Sequence, residues 1–238
     1  MRRARRGGST AGVEAAGVVP RPWTVIERVE TAEGPLELRQ RDERDFLITI
    51  AGRVLMNSLA HRSELVLGEL GCGQARSRKA PTVAIGGLGM GYTLRGALDA
   101  LPADARVRVI ELNPVMERWC RGPIAHLSGF ALEDPRVEVV LDDVALHLRE
   151  VPARTYDAVL LDLYEGPHSH TDPVRDPFYG KHALSTFHRA LKPQGTLAVW
   201  SEQSDRGYAE RLRRAGFKPE LLRPGRGGLR HAVYLAQA

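Results

Sequence analysis

From Pro81 onward, short apolar runs alternate with helical segments, and this rhythm limits what the chain can fold into more than any other feature. The runs are Thr82 to Ile85, Val107 to Ile110, Val137 to Leu141, Ala158 to Leu161 and Thr196 to Trp200. Helices are predicted at Tyr92 to Leu101, Pro114 to Leu127, Val144 to Glu150 and Lys181 to Leu191. Strand and helix in strict turn make a mostly parallel sheet covered on both faces. A last helix, Tyr208 to Ala215, leads into Pro219 to Leu222 and His231 to Leu235, two runs joined by a Gly/Arg turn that favours a closing antiparallel hairpin.

Ahead of Pro81 the pattern differs. Trp23 to Val29, Leu36 to Arg41 and Phe46 to Met56 read as three strands of a small meander, the last bent at Ala51-Gly52. Ser63 to Leu70 reads as a short helix, with Ser63 as N-cap and Gly71 closing it. Residues 1–20 are rich in Arg, Gly and Ala without a sustained period, which predicts a flexible basic tail. The expected organisation is thus a tail over 1–20, a β-meander with a short helix over 21–78, and a nucleoside-binding α/β catalytic domain over 79–238.

The formal charge of +5 invites a nucleic-acid reading, but Arg2, Arg3, Arg5 and Arg6 lie in the tail, and without them 30 basic residues face 29 acidic ones. The body is nearly neutral, so no specific nucleic-acid partner is predicted. Cys72 and Cys120 are the only cysteines and have no C-x-x-C spacing, so neither a disulfide framework nor a zinc site is expected. No apolar run reaches the length of a membrane span and no signal peptide precedes the fold, so a cytoplasmic protein without a membrane partner is expected.

In an open parallel sheet, ligands bind outside the carboxyl ends of the strands. The first such loop is Gly86-Gly87-Leu88-Gly89-Met90-Gly91, between a strand and a helix. Its glycines permit close backbone approach, and the helix start offers unpaired N–H groups, which makes Gly86, Gly87, Gly89 and Gly91 candidate cofactor contacts. The second strand ends in Glu111, about twenty residues on, where a carboxylate accepts the hydroxyls of a ribose. A nicotinamide dinucleotide enzyme uses the same pair of signals. The third strand ends in Asp142-Asp143, one carboxylate suited to an adenine amino group and the other to capping the next helix. The fourth ends in Asp162, a candidate base, followed by a loop in which Tyr164, Glu165 and His168 shape the acceptor pocket. Glu165, His168, His170 and Asp172 are metal-ligand types at short spacing, but the Gly and Pro between them make the segment irregular, and no metal is predicted.

These segments together resemble the spermidine synthase-like (polyamine synthase) branch of the class I methyltransferase fold. The resemblance runs from about Phe46 to Trp200. It is carried by Ile85-Gly86-Gly87 with its glycine turn, Val109-Ile110-Glu111-Leu112-Asn113-Pro114, Asp134-Pro135-Arg136-Val137-Glu138-Val139, Tyr156-Asp157-Ala158-Val159-Leu160-Leu161-Asp162 and Ala190-Leu191-Lys192-Pro193-Gln194-Gly195. It implies a Rossmann-like, seven-stranded sheet behind a small N-terminal β-region. It further implies that Glu111 holds a ribose, Asp143 meets an adenine, Asp162 stands at the catalytic aspartate, and the protein pairs as a homodimer.

The same resemblance shows departures. The family's turn aspartate, which grips the aminopropyl amine, is absent from Leu88-Gly89-Met90, and Leu55-Met56-Asn57 replaces the stretch that holds the family's glutamine. The family's Tyr-His-Glu becomes Arg62-Ser63-Glu64, of which Glu64 remains a candidate substrate contact, and the second amine-binding aspartate becomes Glu165. These losses place first a methyltransferase that uses S-adenosylmethionine on a small-molecule or peptide acceptor. An aminopropyltransferase using decarboxylated S-adenosylmethionine is the alternative, and a non-catalytic S-adenosylmethionine sensor or partner subunit is the third reading.

Overall fold

The computed structural model describes residues 21–164, 166–224 and 231–238; the basic tail lies outside them. The described residues form two sheets. The first is an antiparallel sheet in chain order, β1 (Thr24–Thr31), β2 (Gly34–Asp42), β3 (Asp45–Ile50) and β4 (Arg53–Asn57). The expected third strand is therefore two, because Ala51 and Gly52 take positive φ values of 45° and 79° and turn the chain back on itself where a bend was predicted. Its alternate residues Leu36, Leu38, Phe46, Ile48 and Ile50 are buried, the pattern of a sheet with one face on a core.

The second sheet has seven strands in the order β10-β11-β9-β8-β5-β6-β7. Its strands are β5 (Thr82–Gly86), β6 (Arg106–Glu111), β7 (Val137–Leu141), β8 (Tyr156–Leu161), β9 (Leu191–Ser201), β10 (Lys218–Leu222) and β11 (Ala232–Gln237). β5 to β9 pair in parallel; β11 and β10 close the edge antiparallel. Strand order reverses between β5 and β8, so the crevice at their carboxyl ends is where such a sheet opens to a ligand. Among the described residues six helices accompany the strands: α1 (Arg62–Gly71), α2 (Tyr92–Ala100), α3 (Pro114–Arg121), α4 (Val144–Glu150), α5 (Lys181–Ala190) and α6 (Arg206–Arg214). Among the described residues no helix is long and apolar enough to cross a membrane.

Two helices differ from their expected form. The segment after Pro114 stops at Arg121 and resumes as a 3-10 turn over Ala125–Ser128. Pro123, with no N–H to donate and a ring that clashes with the preceding turn, accounts for the break. α1 starts one residue early, with His61 at its N-cap and no side-chain cap bond, so Ser63 lies inside the helix and its hydroxyl is committed elsewhere.

The small sheet is fastened to the large one by polar contacts at its edge. Glu27 of β1 accepts a 2.8 Å hydrogen bond from Trp119 Nε1 of α3 and pairs with Arg118, and the Trp119 bond, followed by Arg118, holds its carboxyl below the usual range. At the amino ends of the parallel strands, buried Asp157 ties Arg78, Lys192 and the Thr82 amide together.

α1 and α2 cross at two glycines. A Cβ on Gly68 would lie 2.2 Å from the Thr93 carbonyl oxygen, and one on Gly96 would lie 2.3 Å from the Leu65 carbonyl oxygen. Only hydrogen fits in either place, so the two backbones touch. Gly68→Ala gains about 1 kcal/mol of helix propensity, yet separating the helices is expected to lower the unfolding free energy by about 2 kcal/mol or more net. Urea denaturation checks this; an unchanged midpoint would show that the crossing tolerates an extra atom. Glu64 and Thr93 sit on this crossing, where Thr93 Oγ1 donates to the Glu64 carbonyl at 3.2 Å.

Candidate active site

Every loop that the sheet presents at its switch point carries polar groups, and the backbone draws them together. Gly87 donates its N–H to the Ile110 carbonyl and Asp162 donates its own to the Gly86 carbonyl, both at 2.9 Å, so the ends of β5, β6 and β8 are laced side by side. The glycine turn takes φ values of 89°, 52° and 81° at Gly87, Gly89 and Gly91, a left-handed course that side chains resist. Gly86 faces Val144, whose Cγ2 would lie 2.7 Å from a Cβ there. Leu88 and Met90 point into the core, so the surface of the turn is backbone.

Glu111 closes the turn from the next strand. One carboxylate oxygen accepts the Leu88 N–H and the other the Asn113 N–H, each at 2.8 Å. The residue is 7% exposed, and burial pushes its pKa up against the lowering effect of those amides. A carboxylate anchored this way has a lone pair per oxygen left to accept further hydrogen bonds, as two ribose hydroxyls require.

At the end of β7 the two aspartates divide their work. Asp143 Oδ1 accepts from the Ala145 and Leu146 amides at 2.7 and 3.1 Å, which makes Asp143 the N-cap of α4. Asp142 accepts only the adjacent Asp143 amide and faces His147 at 3.6 Å. Of the two candidates, Asp143 thus caps the helix through Oδ1, and Asp142 is the carboxylate at that strand end without a capping duty.

Asp162 follows β8, half-buried, with Thr93 Oγ1 donating to Oδ2 at 2.6 Å. Burial, and then the nearby charge of Glu64, raise its pKa to about 7 in spite of the Thr93 bond. Glu64, 4% exposed, comes from α1. It also helps burial push the neighbouring Tyr92 hydroxyl up to about 12. Two carboxylates from separate elements therefore converge beside the glycine turn.

The loop after Asp162 reaches the small sheet. Tyr164 is 46% exposed and the Arg53 guanidinium of β4 lies 5.6 Å from its ring centre. His168 is held within its own loop: its amide donates to Thr171 Oγ1 at 3.0 Å, and its Nδ1 accepts the His170 amide at 3.2 Å. Glu165 lies outside the described residues. Among the described residues no group of three or more His, Cys, Asp or Glu side chains is arranged to hold a metal.

Residue reading did not single out Thr93, Met56, Trp200 or His231. Met56 of β4 takes the Met90 N–H on its sulfur at 3.2 Å and fills the space beside Gly89, where a Cβ would lie 3.0 Å from its terminal methyl. None of these carries a motif, since each reaches the site by a chain crossing distant in sequence.

A doubly wound sheet with a glycine turn, an anchored acidic residue on the next strand and a carboxylate at the switch point defines a Rossmann-like α/β protein. Residues 73–206 match the spermine/spermidine synthase domain, and the chain belongs to that family. It is 32% identical over 127 residues to the polyamine aminopropyltransferase of Mycobacterium tuberculosis, a match covering 52% of this chain and 23% of that protein. It is 33% identical over 164 residues to polyamine aminopropyltransferase 2 of Streptomyces coelicolor, covering 66% and 27%. Putrescine N-methyltransferase 2 of Nicotiana attenuata is 29% identical over 120 residues, covering 50% and 30%. The chain thus spans under a third of the length of these relatives. The solved spermidine synthase of Thermotoga maritima shares the fold, with a TM-score of 0.68 at 18% identity over 90% of this chain and 72% of that one.

Proposed function

We propose that the protein is a transferase that moves an aminopropyl group from decarboxylated S-adenosylmethionine to a small amine of the polyamine type. The observation that carries this reading is the convergence of Asp162 and Glu64 beside the glycine turn, because a cationic amine entering a half-buried site requires carboxylates to replace its water. The polyamine aminopropyltransferases among its relatives support the same choice, which reverses the order of preference reached from the missing turn aspartate.

The residues present fit the donor. The glycines form a cradle that Cβ atoms would fill, Glu111 is held to receive the ribose, and Asp142 takes the adenine amino group in place of Asp143. Bound there, the donor supplies a carbon activated by its sulfonium. The chain then orients the amine and takes its proton. Asp162, held by Thr93, faces the attacking nitrogen; Tyr164 and the loop through His168 border the acceptor space.

One observation favours a second reading, methyl transfer from intact S-adenosylmethionine. Gly89 puts no carboxylate where it would repel the carboxylate that only the intact donor carries, and Met56 occupies the space beside it. The putrescine N-methyltransferase relative is consistent with that chemistry. Calorimetry with both donors, followed by mass spectrometry of putrescine incubated with each, separates the readings: preference for the decarboxylated donor with an aminopropylated product is expected, and a methylated product would overturn it. Glu111→Ala is expected to weaken either donor about 10- to 100-fold, the value of bonds to a charged group; unchanged affinity would remove Glu111 from the site.

A further inference from the structure

We propose that Glu64, Ser63 and His231 form a proton exit that carries the proton released at the Asp162–Glu64 pair out along the edge of the sheet. The inference rests on the alkyl-transfer reading, since an acceptor amine must lose a proton to give a neutral product.

The geometry is a chain of short contacts from three elements. Ser63 Oγ lies 2.6 Å from Glu64 Oε2, 2.9 Å from His231 Nδ1 and 3.1 Å from Trp200 Nε1. A hydroxyl has one proton and two lone pairs, and an indole nitrogen only donates. Trp200 therefore takes one lone pair permanently. With Glu64 ionised, the Ser63 proton points to Glu64 and His231 donates from Nδ1 into the second lone pair. With Glu64 protonated, Glu64 donates to Ser63 and Ser63 donates to Nδ1. Both arrangements satisfy every atom, and passing from the second to the first moves one proton from Glu64 to His231.

The groups around this chain suit transit. Asp162 and Tyr92 face Glu64, with Thr93 beside its backbone at 3.2 Å. His231 stands half-buried before β11, its ring edge-on to Trp200 with centroids 4.9 Å apart. Trp200 thus fixes both Ser63 and the imidazole. As the acceptor nitrogen bonds to the transferred carbon, the carbon–sulfur electron pair stays on sulfur and the N–H proton passes to the carboxylate pair. Glu64 hands a proton to Ser63 Oγ, Ser63 gives its own to the unprotonated Nδ1 of a ring that carries Nε2–H, and the imidazolium releases the Nε2 proton; exchange of the ring protons with solvent then restores the Nε2–H form for the next turnover. Imidazole is the side chain that exchanges protons near neutrality.

The test is nitrogen-15 NMR of the imidazoles in the whole chain. In the wild type at alkaline pH, with Glu64 ionised, neutral His231 is expected as the Nδ1–H tautomer, opposite to the form free histidine prefers, and Ser63→Ala is expected to return it to Nε2–H. A wild-type Nε2–H tautomer at alkaline pH, where Glu64 is ionised, overturns the proposal and needs no variant to fold. His231→Asn keeps a donor at the Nδ1 position and removes titration. With putrescine and the donor that turns over, it is expected to lower kcat about 10- to 100-fold with KM unchanged, flatten the pH profile and respond to added imidazole. An unaltered kcat and profile overturn the relay. If the wild type transfers nothing to any amine, the functional reading falls, while the tautomer measurement still decides whether the hydrogen-bond chain exists.

Discussion

Asp162→Asn is expected to lower kcat about 100- to 10,000-fold, the usual worth of a positioned base, while donor affinity stays within error. The amide keeps the volume and can still accept from Thr93, but it takes no proton and offers no charge to an amine. Stopped assays for kcat and calorimetry for the donor measure the two halves; a variant that retains turnover would remove Asp162 from the chemistry. In the wild type, kcat should rise with pH as Asp162 ionises near pH 7. Stability should run the other way. The folded state holds the Asp162 proton up to about pH 7 and the unfolded state releases it near 3.8, so between those values the folded chain binds more protons. The contribution is fully present below pH 3.8 and is lost as pH rises through 7. Asp162→Asn has no such loss, so its Tm should gain on the wild type from pH 4 to pH 8. Parallel Tm curves would show that the residue titrates normally.

Gly87→Ala is the second large effect. Its φ of +89° is strained for any side chain, and the new Cβ would lie 2.4 Å from the Asp162 carbonyl oxygen, which is backbone and cannot rotate away. Relief requires β5 and β8 to part at the switch point, which moves the glycine turn and Asp162 together. The variant is expected to lose at least about 2 kcal/mol of stability and measurable donor binding. Gly89→Ala is the control. Its φ of 52° lies in the left-handed region, and the nearest atoms are the flexible tip of Met56 at 3.0 and 3.1 Å, so it should fold and bind more nearly as the wild type does. Equal damage from both would mean that turn strain alone, and not the contact with Asp162, sets the cost.

Much of the scaffold was legible because its signals are local. Strand runs, the turn between β5 and α2, and Glu111 about twenty residues later all sit within single βα units, where spacing along the chain equals spacing in space. The strand-end position of Asp162 was legible the same way, as the residue after an apolar run. The break in α3 was readable in principle from Gly122-Pro123, and the split of β3 from β4 from Ala51-Gly52, where a bend was expected in place of a turn. The division of labour between Asp142 and Asp143 was open, because either carboxylate can cap a helix and only the backbone course at β7 selects one.

By itself, the order of apolar runs, glycines and acidic strand ends determined a doubly wound sheet with a crevice at its switch point, since periodicity and strand-end position are properties of the chain in one dimension. Tertiary structure decided what surrounds Asp162. Glu64 meets Asp162 only because Gly68 and Gly96 let two helices touch, and His231 meets Ser63 across 168 residues only because β11 inserts beside β9. Contacts of that separation follow from strand order and helix crossing, which no local pattern encodes.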